Sequence, residues 1–316
     1  MSESVVKVGV VGVGALGQHH ARIYRELESA ELVGVFDADF ARAQEIAEEQ
    51  GCRAFRDMSA LAAEIDAASV VVPTDLHFGV GEELLDRGLH LLIEKPIART
   101  TREAETLVAQ AEKAGCLLQV GHVERFNPVM GYLEETMGNP RFIEAHRLAS
   151  YPPPRPGLPP RGTEVSVVLD LMIHDLEIVL HLVRSPVKEF HAVGVSVLSP
   201  TADIANARLI FENGCVANVT ASRISPERMR KIRVFLSDAY ISLDYQEQAG
   251  KVYRAGGKEI SIQDVPIERG EPLANELASF VSCVATRDQP RVTGRHASDA
   301  LKLAVEISQF IAEENQ

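Results

Sequence analysis

Near its amino terminus the chain runs Val5-Val6-Lys7-Val8-Gly9-Val10-Val11-Gly12-Val13-Gly14-Ala15-Leu16-Gly17, and this stretch constrains the fold more than any other. The β-branched run predicts a strand buried on both faces, and the residues from Gln18 to Glu28 predict a helix. In a strand, G-x-G-x-x-G, helix arrangement the first glycine permits the tight turn. The second lets backbone approach a pyrophosphate, and the third lets helix and strand pack closely. The phosphates then lie against the partial positive charge of the helix amino terminus. Gly12, Gly14, Ala15, Leu16 and Gly17 are therefore candidate cofactor contacts, with a ligand-free tight turn as the alternative. Asp37 weighs against that alternative, because it ends the next β-like run, Leu32 to Phe36, where a ribose-binding carboxylate is expected. Its charge would repel a 2′-phosphate, and Ala38-Asp39 supplies no arginine, so NAD is expected over NADP.

Beyond Asp37 helical and extended patterns alternate, as βαβ units on a parallel sheet require. Ligands of such sheets sit outside the carboxyl ends of the strands, which makes residues after a strand informative. The run Ser69-Val70-Val71-Val72 leads into Pro73, Thr74 and His77, candidate cofactor contacts whose alternatives are a helix cap for Thr74 and a loop histidine for His77. The strand His90 to Ile93 ends in Glu94-Lys95-Pro96, and the proline biases Lys95 away from helical angles. Lys95 is thereby aimed at the crevice, and Glu94 and Lys95 join the candidate cofactor contacts; a solvated lysine is the alternative. A strand from Cys116 to Val120 closes a first domain over residues 1–121, leaving 122–316 as a second.

That second part opens with His122-Val123-Glu124-Arg125-Phe126-Asn127-Pro128, where Asn127 reads as a cap and Pro128 as the first residue of a helix. The proline-rich run Tyr151 to Pro160, with Arg155 inside it and Arg161 after it, excludes helix and central sheet and predicts an extended loop. Ser166 to Val183 reads as an apolar helix on which Asp170 and His174, four apart, share a face. A carboxylate beside an imidazole orients the ring and stabilises its protonated form; a structural Asp–His bond is the alternative. Extended runs follow from Lys188 to Asp244, with an Asn213-Gly214 hairpin signal, a further turn at Gly256-Gly257 and two closing helices. The fold class is thus α/β, a Rossmann dinucleotide-binding domain followed by an α+β domain on a mainly antiparallel open sheet.

Composition excludes several partners. The net charge is −13, which argues against a nucleic-acid or anionic-membrane surface and leaves any phosphate to local geometry. No basic leader precedes the first apolar run and no run approaches a membrane span, so a cytoplasmic protein is expected. The four cysteines are isolated, with no metal-ligand spacing, and read as small buried hydrophobes; no metal site is expected.

With G-V-G-A-L-G, E-K-P and D-L-M-I-H-D present in that order, the sequence resembles the glucose-fructose oxidoreductase and inositol dehydrogenase (Gfo/Idh/MocA) family along essentially its whole length. The resemblance implies an NAD-dependent dehydrogenase acting on a CH–OH group, with Lys95 as the E-K-P lysine and Asp170 and His174 as its D-x-x-x-H pair. One departure is the run Glu164 to Leu169, where many members are glycine-rich. The segments G-H-V-E-R-F-N-P and V-V-L-D-L-M-I-H-D look most like the branch acting on the 3-hydroxyl of UDP-N-acetylglucosamine. A nucleotide sugar gives Arg125, Asn127, Arg155 and Arg161 a use as diphosphate and sugar contacts. A free sugar or inositol-like polyol is the alternative substrate, and a non-catalytic nucleotide-sensing protein the alternative class. The resemblance also implies a homodimer or homotetramer built through the open sheet, for which Val193, Val195 and Val197 are candidate surface residues.

Overall fold

A computed structural model describes residues 5–136, 138–155, 157, 160–256 and 259–314. Pro156, Leu158 and Pro159 of the proline run, and Gly257 of the expected glycine turn, lie outside the described residues. In chain order the early elements are β1 (Val6–Val11), α1 (Gly17–Glu26), β2 (Ala30–Phe36), α2 (Phe40–Gln50), β3 (Arg53–Phe55), α3 (Met58–Ala62), β4 (Ala67–Val70), α4 (Thr74–Asp86), β5 (His90–Glu94), α5 (Thr101–Ala114) and β6 (Leu118–Gly121). A 3-10 turn (Val123–Phe126), α6 (Pro128–Thr136), β7 (Phe142–Leu148), a π turn (Val168–Met172) and α7 (Ile173–Val183) come next. Then follow β8 (Val187–Val195), β9 (Ile204–Phe211), β10 (Val216–Ser222), β11 (Met229–Phe235), β12 (Ala239–Asp244), β13 (Ala249–Gly256), β14 (Glu259–Asp264), α8 (Pro272–Thr286) and α9 (Gly294–Glu314).

Two compact units result: residues 1–126 with 271–298, and 127–270 with 299–316. The first is built on a six-stranded sheet in the order β3-β2-β1-β4-β5-β6, every described pair parallel, which is the doubly wound arrangement the glycine turn implied. Val8, Val10 and Val11 are completely buried, as expected of a strand covered on both faces. Local signals also stop the helices: Asp39 caps α2, Thr100 and Glu103 form a capping box on α5, and Gly51 and Gly115 end them in the left-handed conformation. The single boundary expected at residue 121 does not describe this packing. Leu277, Phe280, Val281 and Val284 of α8 join the core around β1, so apolar burial returns a late segment to the first unit.

The second unit has eight strands in the order β14-β13-β12-β11-β7-β10-β9-β8, antiparallel except for the parallel pair β7 and β10. Alternate residues such as Ile143, Ala145, Val219, Leu209, Val234 and Ile241 are buried, and α7 packs on this face at β7 and β10. The last helix joins it through Phe310, which meets Phe190 edge-on at 5.6 Å, and Ile311, which fills the space beside Gly194. Strands β13 and β14 were not among the expected runs: AGKVYRAG has no apolar alternation, and EISIQD offers only Ile260 and Ile262, both exposed. Of the cysteines, Cys215 and Cys283 are buried, whereas Cys52 and Cys116 are partly exposed; burial still pushes the Cys52 thiol up to about 11. No described helix is long and apolar enough to cross a membrane.

Candidate active site

The glycine turn separates what the chain itself requires from what a ligand requires. Gly12 has φ 91°, and a Cβ there would lie 2.6 Å from the Val71 carbonyl oxygen. Gly17 packs its Cα directly on the Gly12 carbonyl, so helix and strand meet as closely as backbone allows. A Cβ on Gly14, by contrast, would meet nothing within 4 Å. Open space at the second glycine is what approach of a pyrophosphate needs, and the residues present fit a dinucleotide. Gly14 and Ala15 are exposed, and Leu16 precedes the first turn of α1. Asp37 accepts hydrogen bonds from the backbone N–H groups of Val13 (2.8 Å) and Asp39 (2.9 Å), which anchor its carboxylate beside the turn. The sequence reading missed Arg42, whose Nε donates to the Val13 carbonyl at 3.0 Å because α2 folds back on the turn. Its other nitrogens are spent on Gln18 and Glu45, each at 2.7 Å.

At the carboxyl ends of β4 and β5 the expected contacts divide. Pro73 is exposed and precedes α4, and Thr74 is the first residue of that helix rather than its cap. His77 is 1% exposed, with Nδ1 2.8 Å from the Pro96 carbonyl and Nε2 2.9 Å from the Val72 carbonyl. Burial lowers its pKa, outweighing the two carbonyls, which act in the opposite direction. This corrects the expected direct cofactor contact: His77 supports the edge from behind, tying the β4 turn to the cis Lys95–Pro96 segment. Lys95 is half-buried, in keeping with its place at the strand end.

Glu94 turns inward. Its carboxylate sits over the Cα of Gly121, where a Cβ would lie 2.7 Å from the carboxyl carbon, and Oε1 is 3.2 Å from His20 Nε2. That pair is close but out of line for a hydrogen bond. His20 Nδ1 and the Tyr24 hydroxyl converge on Ser69 Oγ at 3.1 and 2.8 Å. Behind them Glu276 of α8 is completely buried, and neither carboxyl oxygen has a hydrogen-bond partner among the described residues. Burial first, and the Glu94 charge second, push the Glu276 carboxyl well above the usual carboxylate range. In the unfolded chain that group ionises near ~4.3, so above this pH folding must retain a proton the unfolded chain has released. Stability therefore falls as pH rises from the ordinary carboxylate value through the raised one. Glu276→Gln removes this titration, and its melting temperature should exceed wild type by more at pH 8 than at pH 5. Each kcal/mol relieved corresponds to about 2–4 °C in a protein of this size class. An equal difference at the two pH values would refute the ionisation penalty.

In the second unit the helix expected over 166–183 is present without interruption from 167 to 183, but its first turns are π rather than α. Asp170 lies in the π turn, and α7 starts at Ile173, just before His174. The wider i→i+5 turn is a departure found at functional positions, and here it sets the rotation between Asp170 and His174. Both side chains are partly exposed. The Asp170 carboxylate rests on Gly162, which has φ 82° and would place a Cβ 2.8 Å from the Asp170 carboxyl carbon. Asp175, next to His174, is held by Arg147 of β7 through Nε at 2.8 Å and Nη2 at 3.2 Å, a pair almost wholly buried.

The expected substrate arginines do not share one environment. Arg125 is 1% exposed within the first unit and its Nη2 reaches the Arg291 carbonyl at 3.5 Å, so the expected open cation is instead an interior hydrogen-bonding group. Asn127 is also buried: it donates to the Tyr245 carbonyl at 3.0 Å and accepts from Val129 N–H at 3.3 Å, the capping role its place before Pro128 implied. Arg155 and Arg161 are exposed. A cavity of about 690 Å³ opens at the opposite, amino-terminal edge of the first sheet, lined by Val6, Asp66, His90 and Arg287 among others, and is not where the glycine turn receives a ligand. Gly162 and His20, which seat or flank the carboxylates, belong to no motif, and only their contacts reveal them; Gly121 opens the G-H-V-E-R-F-N-P segment, but its place under Glu94 is likewise a matter of contacts.

Residues 6–122 match the model described as "Oxidoreductase family, NAD-binding Rossmann fold", and residues 133–242 match the "GFO/IDH/MocA C-terminal domain". The chain is 37% identical to the UDP-N-acetylglucosamine 3-dehydrogenase of Acidithiobacillus ferrooxidans over 97% of its own length and 98% of that protein. The solved structure of that enzyme superposes with a TM-score of 0.92 at 36% identity, covering 98% of this chain and 99% of that one. Identity to the scyllo-inositol 2-dehydrogenase (NAD(+)) of Bacillus subtilis is 25%, over 96% of this chain and 93% of that protein. Dehydrogenase chemistry on a CH–OH group is common to these relatives, and the matched Rossmann fold is described as NAD-binding. Family-model matches over residues 6–122 and 133–242, with 37% identity to a relative along nearly the whole chain, show that the chain belongs to the Gfo/Idh/MocA oxidoreductase family.

Proposed function

We propose that this NAD-dependent dehydrogenase oxidises the 3-hydroxyl of UDP-N-acetylglucosamine to a ketone. The observation that carries the reading is that similarity to the Acidithiobacillus enzyme runs end to end through both units. His174 takes the hydroxyl proton, Asp170 orients the imidazole and compensates its charge, and Lys95 donates a hydrogen bond to the reacting oxygen. Bound NAD would supply the acceptor for the hydride that leaves the carbon bearing the hydroxyl. The glycine turn with Gly12, Gly14, Ala15, Leu16 and Gly17 holds its phosphates and Asp37 its ribose, while Pro73, Thr74 and Glu94 border the site. Arg155 and Arg161, exposed beside the proline run, are the cations assigned to the diphosphate, for which a forked guanidinium is well suited. Following NADH absorbance with a panel of UDP-sugars and free polyols tests the substrate. UDP-N-acetylglucosamine should turn over fastest; faster turnover of inositol or glucose than of any UDP-sugar would replace this reading with a polyol dehydrogenase.

The sheet of the second unit adds a proposal about assembly. Across its outer face Phe142, Phe235, Tyr240 and Tyr253 form a continuous row, with successive ring centroids 5.4, 4.6 and 4.8 Å apart. Val193, Val195 and Val197 are 61%, 51% and 58% exposed. An apolar face of that extent calls for a cover, and a second copy of the chain is the proposed one. Sedimentation should give a dimer or tetramer at micromolar concentration, and a monomer would refute the proposal.

A further inference from the structure

Arg223, immediately after β10, is 2% exposed and belongs to none of the motifs above. Its Nε donates to Asp203 at 2.8 Å, and burial of a lone arginine would be prohibitive without such a partner. Asp203 in turn accepts from the backbone N–H groups of Val197, Leu198 and Ser199 at 2.8, 2.6 and 3.0 Å. Its carboxyl is held far below the usual range by the Ser199 and Arg223 hydrogen bonds, which overcome burial. Charge compensation accounts for one edge of the guanidinium only.

The other two nitrogens reach the chain around Asp170. Nη1 donates to the carbonyls of Gly162 (2.7 Å) and Val165 (2.9 Å). Nη2 donates to Ser199 Oγ (2.9 Å), Thr201 Oγ1 (3.0 Å) and the Ala202 carbonyl (3.3 Å). Gly162 is the residue on which the Asp170 carboxylate rests, and the Ala202 carbonyl also accepts from Val167 N–H, at 2.9 Å, directly before the π turn. The same strand end holds the other side of the proline run, since Ala149 N–H donates to the Ser222 carbonyl and Ser225 N–H to the Ala149 carbonyl, at 2.8 and 3.0 Å. One guanidinium thus fixes the floor beneath Asp170 and the approach to its turn, while its neighbours fix the start of the loop.

We propose that Arg223 is a positioning residue for the reaction, setting the Asp170 carboxylate, and through it His174, by holding the Gly162 carbonyl. The proposal rests on the reading of Asp170 and His174 as the proton-accepting pair. Arg223→Lys keeps a cation beside Asp203 but loses the fork that bridges Gly162, Val165 and Ala202. The variant should fold and bind NADH as wild type does, with kcat lowered roughly 10- to 100-fold, as expected of a displaced catalytic group, and KM for the nucleotide sugar within about threefold. The acid limb of its kcat–pH profile should move, which a purely structural loss would not produce. Gly162→Ala, which crowds the Asp170 carboxylate and strains the left-handed backbone that Arg223 holds, should reproduce both changes with Arg223 itself intact. Should Arg223→Lys fail to fold, Arg223→Met combined with Asp203→Asn removes both buried charges and is read the same way. Wild-type kcat and pH profile in the folded variant, with Asp170→Asn inactive, would overturn the positioning role and leave the catalytic pair standing. Wild-type turnover in Asp170→Asn would overturn the pair itself, and the positioning role with it.

Discussion

Lys95→Ala and His174→Ala are each expected to lower turnover by at least ~100-fold, the contribution general acid–base and oxyanion-type groups commonly make. The two residues reside in different units, so their losses are separable from folding defects by distinct controls. Lys95 follows a strand whose Leu91, Leu92 and Ile93 are completely buried, and its removal leaves those core residues in place. His174 sits at the start of α7 among buried neighbours, and alanine is compatible with a helix there. Circular dichroism and NADH binding should therefore stay near wild type while NADH formation collapses. Turnover within a few-fold of wild type in either variant would remove that residue from the mechanism.

Arg147→Met is expected to have the largest effect on stability, a loss of roughly 3–5 kcal/mol, because it strands the Asp175 carboxylate in a buried setting. The Arg147 and Asp175 side chains are 4% and 2% exposed, so water cannot take over from the guanidinium. Combining the change with Asp175→Asn should recover much of the loss, since a neutral amide costs less to bury than an unpaired charge. Thermal unfolding of the single and double variants decides this, and a single variant as stable as wild type would mean that the pair contributes nothing. Asp175 adjoins His174, so the recovered double variant also tests whether the pair holds the start of α7 for catalysis.

Much of the first unit was legible because its determinants are local. A β-branched run, three glycines and a carboxylate at the next strand end occupy about thirty residues, and with the alternation that follows they point to a doubly wound sheet. The extended runs that became β8 to β12 were legible for the same reason, and β13 and β14 were not, because pairing with their neighbours more than their own short pattern makes them strands. The E-K-P and D-x-x-x-H residues could be found by order along the chain. Their surroundings could not: the reading of Asp170 and His174 as stacked on one α-helix assumed a regular turn, and the structure has a π turn there.

The sequence by itself determined the Rossmann turn, the strand-end position of Lys95, the Asp170–His174 spacing and the cap at Asn127, all of which depend on periodicity or on chemistry within a few residues. Only the tertiary structure decided that Arg125 and His77 are interior, that α8 completes the first core and that Glu276 is buried beside Glu94. It also decided that Gly162 carries Asp170 and that Arg223, sixty-one residues later, holds Gly162. The physical reason is that burial and hydrogen-bond satisfaction are properties of a site, not of a segment. A buried arginine and a solvated one have the same neighbours in sequence and differ only in which distant carbonyls the fold brings to their nitrogens.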